Sequence, residues 1–185
     1  MTPWHLRYAA RILRDGGLVA YPTEGVYGIG CDPWRAEAVE RLLLLKRRHV
    51  DKGMILIADS VNRLEGVVRM DEALARRTAS TWPGPVTWIL PAGDRAPERI
   101  SGGRSTLAVR VTAHPLAALL CCAFGGPLVS TSANLGGRRP ARTPLEVRLR
   151  VPRGGLDYIL HGATGGRKRP TEIRDGMTGT VLRQG

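Results

Sequence analysis

Three short clusters of polar side chains could carry out chemistry in this sequence of 185 residues. Tyr21-Pro22-Thr23-Glu24 follows one predicted strand, residues 46–52 lie between a predicted helix and a strand, and residues 130–134 end another predicted strand. Hydroxyl groups beside backbone amides, together with nearby cations, suit phosphate and carboxylate groups. Turn formation could explain each cluster separately, whereas a shared site for anionic ligands explains all three.

Several familiar catalytic motifs are missing from the sequence. It has no G-x-x-x-x-G-K-[ST] phosphate loop, and Gly25, Gly28 and Gly30 have the dinucleotide-binding spacing in reverse order. It also has no zinc-binding helix motif and no nucleophile elbow, and none of its four histidines stands in a recognisable catalytic triad. The three cysteines cannot build a disulfide framework and lack zinc spacing, which favours a reducing compartment. We expect no metal site built from protein ligands.

Positive charge is concentrated in the C-terminal part of the sequence. The chain has 28 basic and 16 acidic residues, a net charge of +12, and the last 48 positions hold eleven basic and four acidic residues. This distribution predicts a polyanionic partner (a nucleotide, RNA or both), with a solvated basic surface as the alternative. Only three basic residues are lysines, and Lys46 and Lys52 both belong to the second polar cluster. A compact, rotatable ammonium group is therefore expected to be needed there.

Helices and strands alternate along the chain and must position these clusters. Helix N-termini are predicted at Thr2-Pro3, Asp32-Pro33, Asp71, His114 and Thr143-Pro144. Strands are predicted at residues 18–21, 29–31, 54–58, 86–90, 107–111, 128–131, 158–160 and 180–183. The alternation predicts an α/β fold in which one domain over residues 1–185 contains a mixed, twisted sheet flanked by helices.

The sequence also predicts the cellular compartment of the protein. The longest apolar stretch, residues 115–124, is about half of the ~20 residues that a membrane-spanning helix needs, so we expect no membrane insertion. Residues 2–15 carry three arginines and one histidine without a continuous apolar core, which predicts an amphipathic helix rather than a signal peptide. A mitochondrial presequence is the alternative for this segment. A cytoplasmic protein is the interpretation that fits these features and the cysteine content.

Six separated sequence blocks carry a family resemblance. They are residues 21–32 (YPTEGVYGIGCD), 45–53 (LKRRHVDKG), 82–87 (WPGPVT), 107–111 (LAVRV, followed by His114-Pro115), 127–134 (PLVSTSAN) and 170–175 (PTEIRD). In this order, and over nearly the whole chain, they resemble the YrdC family, and in particular its short bacterial TsaC type. The resemblance implies a YrdC-like fold with a basic groove.

The resemblance also implies a reaction. L-Threonine, bicarbonate and ATP would give threonylcarbamoyl-AMP and pyrophosphate, the first stage of N6-threonylcarbamoyladenosine modification of tRNA. ATP would be a substrate accompanied by Mg²⁺, with no tightly bound cofactor. A TsaD-type transferase with its accessory proteins would act downstream, and tRNA or double-stranded RNA is a further candidate partner.

Roles for individual residues follow from the same resemblance. The catalytic residues would be Lys46, Arg48 and Lys52, all of which would meet the ATP phosphates. Further ATP contacts would come from Thr106, Ser132, Asn134 and Arg183. The threonine substrate would be bound by Thr23, Arg110, Ser130 and Thr171. Within that set, Arg110 would hold the carboxylate, because a planar guanidinium can bind it with two hydrogen bonds.

Two positions depart from the family pattern, and one rival function stays open. Lys52-Gly53 stands where many relatives have Asn-Pro, and Ile57 stands where long family members carry a histidine near threonine. The rival is a non-catalytic RNA-binding protein of tRNA or ribosome maturation. In that interpretation the basic C-terminal third, including Arg138, Arg139 and Arg142, would bind RNA phosphates.

Overall fold

The structure, a computed structural model, describes residues 2–168 and 170–185. Within these residues, nine strands form one mixed sheet and six α-helices pack around it, as the α/β pattern predicts. In chain order the elements are α1 (Pro3–Arg14), β1 (Val19–Pro22), β2 (Tyr27–Gly30), α2 (Ala36–Lys46), β3 (Ile55–Ala58), α3 (Glu72–Ala79), β4 (Val86–Pro91), α4 (Glu98–Ser101), β5 (Thr106–Val111), α5 (Pro115–Phe124), β6 (Leu128–Ser132), α6 (Pro144–Arg150), β7 (Tyr158–Ile159), β8 (Glu172–Asp175) and β9 (Val181–Arg183).

Local sequence signals explain most helix boundaries. The Asp71 carboxylate accepts a hydrogen bond from the Leu74 amide at 2.8 Å, which confirms the predicted cap of α3. The predicted start of α2 directly after Asp32-Pro33 is wrong, because the Asp32 carboxylate instead accepts from the Trp34 amide at 2.9 Å. Asp32 therefore closes a separate turn, and α2 begins four residues later.

The strand order places the middle of the chain at the centre of the sheet. The order is β7-β1-β2-β6-β3-β5-β4-β8-β9. The pairs β1/β7, β3/β5 and β4/β8 are parallel, and the other neighbours are antiparallel. In this register Ile57 lies opposite Arg110, and Ile55 lies opposite Ser130. Residues from distant parts of the sequence therefore meet on one face.

Both faces of the sheet are buried against helices and loops. Leu56 and Val109 belong to the larger core cluster, which also contains Trp88 and residues of α2 and α3. Ile57 belongs to a second cluster with residues of α1 and α5. Because successive side chains of a strand point to opposite faces, β3 contributes to both cores. This double burial fixes the strand register around the polar clusters.

The C-terminal part of the chain completes both edges of the sheet. β7 pairs with β1 at one edge, whereas β8 and β9 extend the opposite edge beyond β4. The sequence patterns indicate β7 and β9 but miss β8, whose residues Glu-Ile-Arg-Asp are mostly charged. Among the described residues, no helix combines the length and apolar character needed to cross a membrane.

Candidate functional site

A cavity of about 680 Å³ lies where the three polar clusters approach one another. Its wall includes Thr23 after β1, Ser130 and Ser132 of β6, and Arg48 after α2. We call it the cationic cavity, because seven basic residues line it: Arg48, Arg110, Arg139, Arg142, Arg150, Lys168 and Arg183. Among the described residues, Glu146 is the one carboxylate in its lining. Such a charge balance favours anionic ligands.

A larger cavity of about 1090 Å³ lies elsewhere, between the C-terminal part of α6 and the edge strand β7. Leu149 and Tyr158 contribute to its wall, and none of the predicted site residues does. The cationic cavity is therefore the candidate functional site, because it unites charge with the predicted residues.

Arg110 is almost completely buried at the inner wall of the cationic cavity. It is 4% exposed, and its Nη1 lies 3.3 Å from both the Thr87 and the Thr171 hydroxyl oxygens. Its Nη2 lies 3.4 Å from the Glu24 carboxylate, but this contact lacks hydrogen-bond geometry, and the Arg110 Nε has no partner in the described structure. Arg110 thus retains donors for a further acceptor, such as a carboxylate.

Hydroxyl groups and glycines form the neighbouring part of the wall. The Thr23 hydroxyl donates to the Val26 carbonyl at 2.8 Å, which closes the loop between β1 and β2. Gly28 of β2 lies beside Ser130 of the neighbouring strand β6, and a β-carbon at Gly28 would lie 3.2 Å from the Ser130 Oγ and 3.3 Å from the Thr23 Cγ2. A larger residue at position 28 would therefore crowd the two predicted threonine-binding hydroxyls.

Thr171 connects two of the cavity's arginines. Besides accepting from Arg110, it accepts at its carbonyl from the Arg183 Nη2 at 2.7 Å and from the Arg183 Nε at 3.2 Å. Burial, followed by the neighbouring Arg110 charge, lowers the pKa of Arg183. The predicted threonine contact Thr171 and the predicted ATP contact Arg183 are therefore direct neighbours.

Lys46 lies behind the wall rather than in it. Its Nζ donates to the carbonyl oxygens of Ser132 and Asn134 and, at 2.8 Å, to the Asn134 side-chain oxygen. The same side-chain oxygen accepts from the Ser132 hydroxyl at 2.6 Å. Lys46 is only 6% exposed, and burial, followed by the charge of Arg48, lowers its pKa to about 8. Lys46 and Asn134 together hold the loop that presents Ser132.

Of the remaining predicted ATP contacts, Arg48 lines the cavity, whereas Lys52 and Thr106 do not. Arg48 lines the cavity, and its side chain donates to the Gly53 carbonyl at 2.8 and 3.1 Å. Lys52 is exposed in a short turn and lies outside the lining, although its carbonyl accepts from Arg48 at 3.2 Å. Thr106 begins β5 and pairs with Pro91, also outside the lining. The structure therefore brings seven predicted residues to the wall: Thr23, Arg48, Arg110, Ser130, Ser132, Thr171 and Arg183.

Four cations in the wall were not predicted as site residues. Arg139 and Arg142 were predicted as RNA contacts, and Arg150 and Lys168 had no assigned role. The Arg142 guanidinium donates to the Lys168 carbonyl at 2.8 Å, so the loop before α6 is joined to the segment before β8. The excess of basic residues after position 138 is the sequence signal that could have indicated them.

Ile57 does not line the cationic cavity. It is fully buried in the second core cluster, whereas Met54, just before β3, and Ile55, at its start, contribute apolar surface to the lining. The departure from the long family members at this position therefore lies in the core next to Arg110.

The lining does not offer a set of magnesium ligands. Both oxygens of Glu146 are occupied: Oε2 accepts from the Arg142 amide at 2.6 Å, and Oε1 accepts from Arg150 at 3.0 Å. No group of three or more histidine, cysteine, aspartate or glutamate side chains that could hold a metal ion occurs in residues 2–168 and 170–185. A magnesium ion would have to be held chiefly by phosphate oxygens of a nucleotide.

A mixed sheet that gathers arginines and strand-end hydroxyls into one cavity defines a protein that binds anionic small molecules. The sequence profile described as Sua5/yciO/yrdC, telomere recombination, matches residues 11–185. The chain belongs to the Sua5/YciO/YrdC family, which confirms the resemblance found in the sequence.

Two curated relatives match almost end to end. The threonylcarbamoyl-AMP synthase of Nitrosococcus oceani is 57% identical over 181 residues, covering 97% of each chain. The threonylcarbamoyl-AMP synthase of Halorhodospira halophila is 55% identical over 183 residues, covering 98% of this chain and 95% of the relative.

Solved structures show the same fold. P. abyssi Sua5 complexed with L-threonine has a TM-score of 0.88 at 32% identity; the match covers 95% of this chain and 52% of that one. The present chain therefore corresponds to about half of that protein. E. coli YciO has a TM-score of 0.85 at 29% identity, with 97% and 88% coverage. The predicted mixed α/β, YrdC-like fold is confirmed.

Proposed function

We propose that the chain is a threonylcarbamoyl-AMP synthase that converts L-threonine, bicarbonate and ATP into threonylcarbamoyl-AMP and pyrophosphate. The cationic cavity carries the proposal, because it places a buried arginine, strand-end hydroxyls and further cations around one space. Similarity over nearly the whole length of two synthases of similar size supports it.

Threonine is proposed to bind at the inner wall. Its carboxylate would accept hydrogen bonds from the unused donors of Arg110, because a planar guanidinium matches the two carboxylate oxygens. Thr23, Ser130 and Thr171 line the same part of the cavity and would supply hydroxyl contacts. A relative solved with L-threonine has the same fold, which supports a threonine site in this family.

ATP is proposed to bind along the rest of the wall. Arg48 and Arg183 would contact phosphate oxygens, and Ser132 would contact the nucleotide from the end of β6. Arg139 and Arg142, in the loop before α6, also line the cavity, and we add them to the proposed ATP contacts. Lys46 and Asn134 would act by shaping the Ser132 loop. Lys52 and Thr106 lie outside the lining, and we propose indirect roles for both.

The proposed reaction needs no nucleophile from the protein. The threonine amine would first form a carbon–nitrogen bond with bicarbonate, and water would leave. The resulting threonine carbamate would attack the α-phosphorus of ATP through a carbamate oxygen. The new oxygen–phosphorus bond replaces the bond to the bridging oxygen, and pyrophosphate leaves with that electron pair. The cavity's cations would offset the negative charge of the phosphates, and fixed contacts would hold the reactants in line. Mg²⁺ is proposed to arrive with ATP and to neutralise phosphate charge.

Pyrophosphate release tests the proposal. The purified chain should release pyrophosphate from ATP only when both L-threonine and bicarbonate are present, and threonylcarbamoyl-AMP should be detected by mass spectrometry. L-Serine, L-valine and bicarbonate-depleted buffer are the controls. Release that does not depend on threonine would contradict the proposed function.

A non-catalytic RNA-binding role is the second candidate, and the net charge of +12 favours it. It predicts tRNA binding without threonine-dependent pyrophosphate release. If both activities are found, we propose tRNA as an additional ligand. The downstream TsaD-type partner, the cytoplasmic location and the assignment of residues 1–185 to one domain stay predictions; the last is supported by the single sheet that both ends of the chain help to build.

A further inference from the structure

We infer that Glu24 is a positioning residue for threonine, because it fixes Arg110 in the orientation that leaves its free donors available to the substrate carboxylate. This inference rests on the proposed function, since it assigns a role within the proposed threonine site. Glu24 is not among the residues that the family resemblance assigns to the site, and it does not line the cationic cavity.

Glu24 is itself held firmly in place. The Thr112 hydroxyl donates to its Oε1 at 2.6 Å, and that hydroxyl oxygen also accepts from the His114 amide at 3.2 Å. The Glu24 carbonyl accepts from the Arg167 amide at 3.0 Å, and a β-carbon at Gly165 would lie only 2.9 Å from this carbonyl oxygen. Contacts from two separate segments therefore leave the carboxylate little freedom to move.

Glu24 and Arg110 form a buried ion pair. The two side chains are 8% and 5% exposed, and their closest atoms, Oε2 and Nη2, are 3.4 Å apart. Burial opposes ionisation of Glu24, but the Arg110 charge and the Thr112 hydrogen bond outweigh it and lower its pKa below the ordinary value of 4.5. Glu24 is thus an anion at neutral pH and offsets the cost of burying Arg110.

The contacts around Arg110 orient its guanidinium group but do not use all of its hydrogen-bond donors. The Arg110 Nη1 is occupied by the Thr87 and Thr171 hydroxyls, while the Arg110 Nε and the Glu24 Oε2 are buried without hydrogen-bond partners. Glu24 therefore attracts one edge of the guanidinium without using up its donors. A carboxylate entering the cavity meets an arginine that is already oriented, which reduces the ordering cost of binding.

The test compares Glu24→Gln with Asp59→Asn as a matched control. Asp59 also has a mostly buried carboxylate near an arginine, with 3.5 Å between its Oδ1 and the Arg63 Nε, but it lies outside the cationic cavity. Glu24→Gln should raise the KM for threonine about tenfold, the scale of one charged hydrogen bond, and change the KM for ATP by less than about twofold. Asp59→Asn should change neither.

A double-mutant cycle tests whether Glu24 acts through Arg110. The effect of Glu24→Gln on threonine binding should largely disappear in an Arg110→Lys background, because the oriented guanidinium is already lost. Additive effects, or equal effects on threonine and ATP, would overturn the inference. Thr112→Val is the second variant if Glu24→Gln folds poorly; it keeps the Glu24 charge, removes the hydroxyl that fixes it, and should raise only the KM for threonine.

Calorimetric titration with L-threonine keeps the two proposals separate. If the unsubstituted protein binds threonine but releases no pyrophosphate, the proposed function fails, and threonine affinities of the variants still decide the role of Glu24. If pyrophosphate release is normal and Glu24→Gln binds threonine as tightly as the unsubstituted protein, the inference about Glu24 fails alone.

Discussion

Lys46 and Arg110 are two buried cations of one site with different hydrogen-bonding states. Three oxygens surround the Lys46 Nζ, so all three of its donors are used inside the protein. Arg110 instead lines the cavity, and its buried Nε has no hydrogen-bond partner in the described structure. The lysine therefore acts on the shape of the wall, whereas the arginine can act on a ligand.

Lys46→Arg should reduce threonine-dependent pyrophosphate release about tenfold or more although the charge is kept. A guanidinium is planar and larger than an ammonium group, so it cannot place three donors on the Ser132 and Asn134 oxygens in the same space. The exchange Arg47→Lys, at the exposed neighbouring position, is the control and should leave the rate unchanged. Normal turnover of folded Lys46→Arg would contradict this role.

ATP affinity should fall as the pH rises from 7 to 9. The pKa of Lys46 is lowered to about 8, so its positive charge is present below this pH and lost above it. Loss of the charge behind Ser132 weakens attraction for the phosphates. Calorimetric ATP titration across this range should show the decrease, and Lys46→Met should bind ATP weakly with little pH dependence. The same pH slope in Lys46→Met would assign the effect to another group.

The sequence predicts the chemistry of the site better than the direction of its side chains. Thr23, Arg110 and Ser130, the expected threonine contacts, line the cavity, because each lies in or beside a strand whose register is set by the core. Lys46 turns inward because the loop after β6 folds back over α2 and offers it three oxygens. Residues 46 and 134 are too far apart in sequence for spacing to reveal that contact.

At the scale of elements, β9 links the C-terminal part of the chain to the site. Arg183→Ala should weaken ATP binding by about 1.5–3 kcal/mol, the range for a hydrogen bond to a charged group. Because the Arg183 side chain also bonds the Thr171 carbonyl, we expect a small decrease in threonine affinity as well. Calorimetric titration with each ligand measures both effects.

Leu182→Ala is the control for the Arg183 prediction. Leu182 lies on the same strand and is exposed, so its truncation removes little buried surface and should leave ATP affinity unchanged. Thermal unfolding of both variants separates binding from folding. A large loss of melting temperature in Arg183→Ala, with ATP affinity intact, would make Arg183 a structural anchor of β9.

Elements were predictable where apolar periodicity was strong. β3, most of β5 and the start of β6 are apolar and buried, and the sequence indicates all three strands. The sequence patterns miss β8 because three of its four residues are charged and the strand is only half-buried next to an edge strand. The start of α2 was misplaced because an Asp-Pro pair is compatible with both a helix cap and a turn.

At the scale of the whole molecule, the basic residues predicted to bind RNA and those that line the cavity overlap. Arg139 and Arg142 belong to both sets. If tRNA binds, its affinity should fall steeply with salt, because several phosphates release counterions. Saturating ATP with Mg²⁺ should weaken tRNA binding and flatten the salt dependence, since the nucleotide occupies shared cations. Fluorescence anisotropy with labelled tRNA measures both effects.

Arg138→Gln and Arg139→Gln form a matched pair for the tRNA prediction. Arg138 is exposed outside the cavity lining, and Arg139 is within it. Competition between ATP and tRNA should be reduced in Arg139→Gln and unchanged in Arg138→Gln. Salt-independent or undetectable tRNA binding would instead assign the C-terminal charge to the solvated surface and the nucleotide site.

The strand order also determines when the protein can fold during its synthesis. Residues 158–183 supply β7 at one edge of the sheet and β8 and β9 at the other, together with Thr171 and Arg183 of the cavity wall. While these residues remain inside the ribosome, β1 lacks its neighbour β7 and β4 lacks its neighbour β8. The exposed edges of β1 and β4 can then pair wrongly with other chains. The nascent chain should therefore gain protease resistance and nucleotide binding together, only after its last strands have emerged.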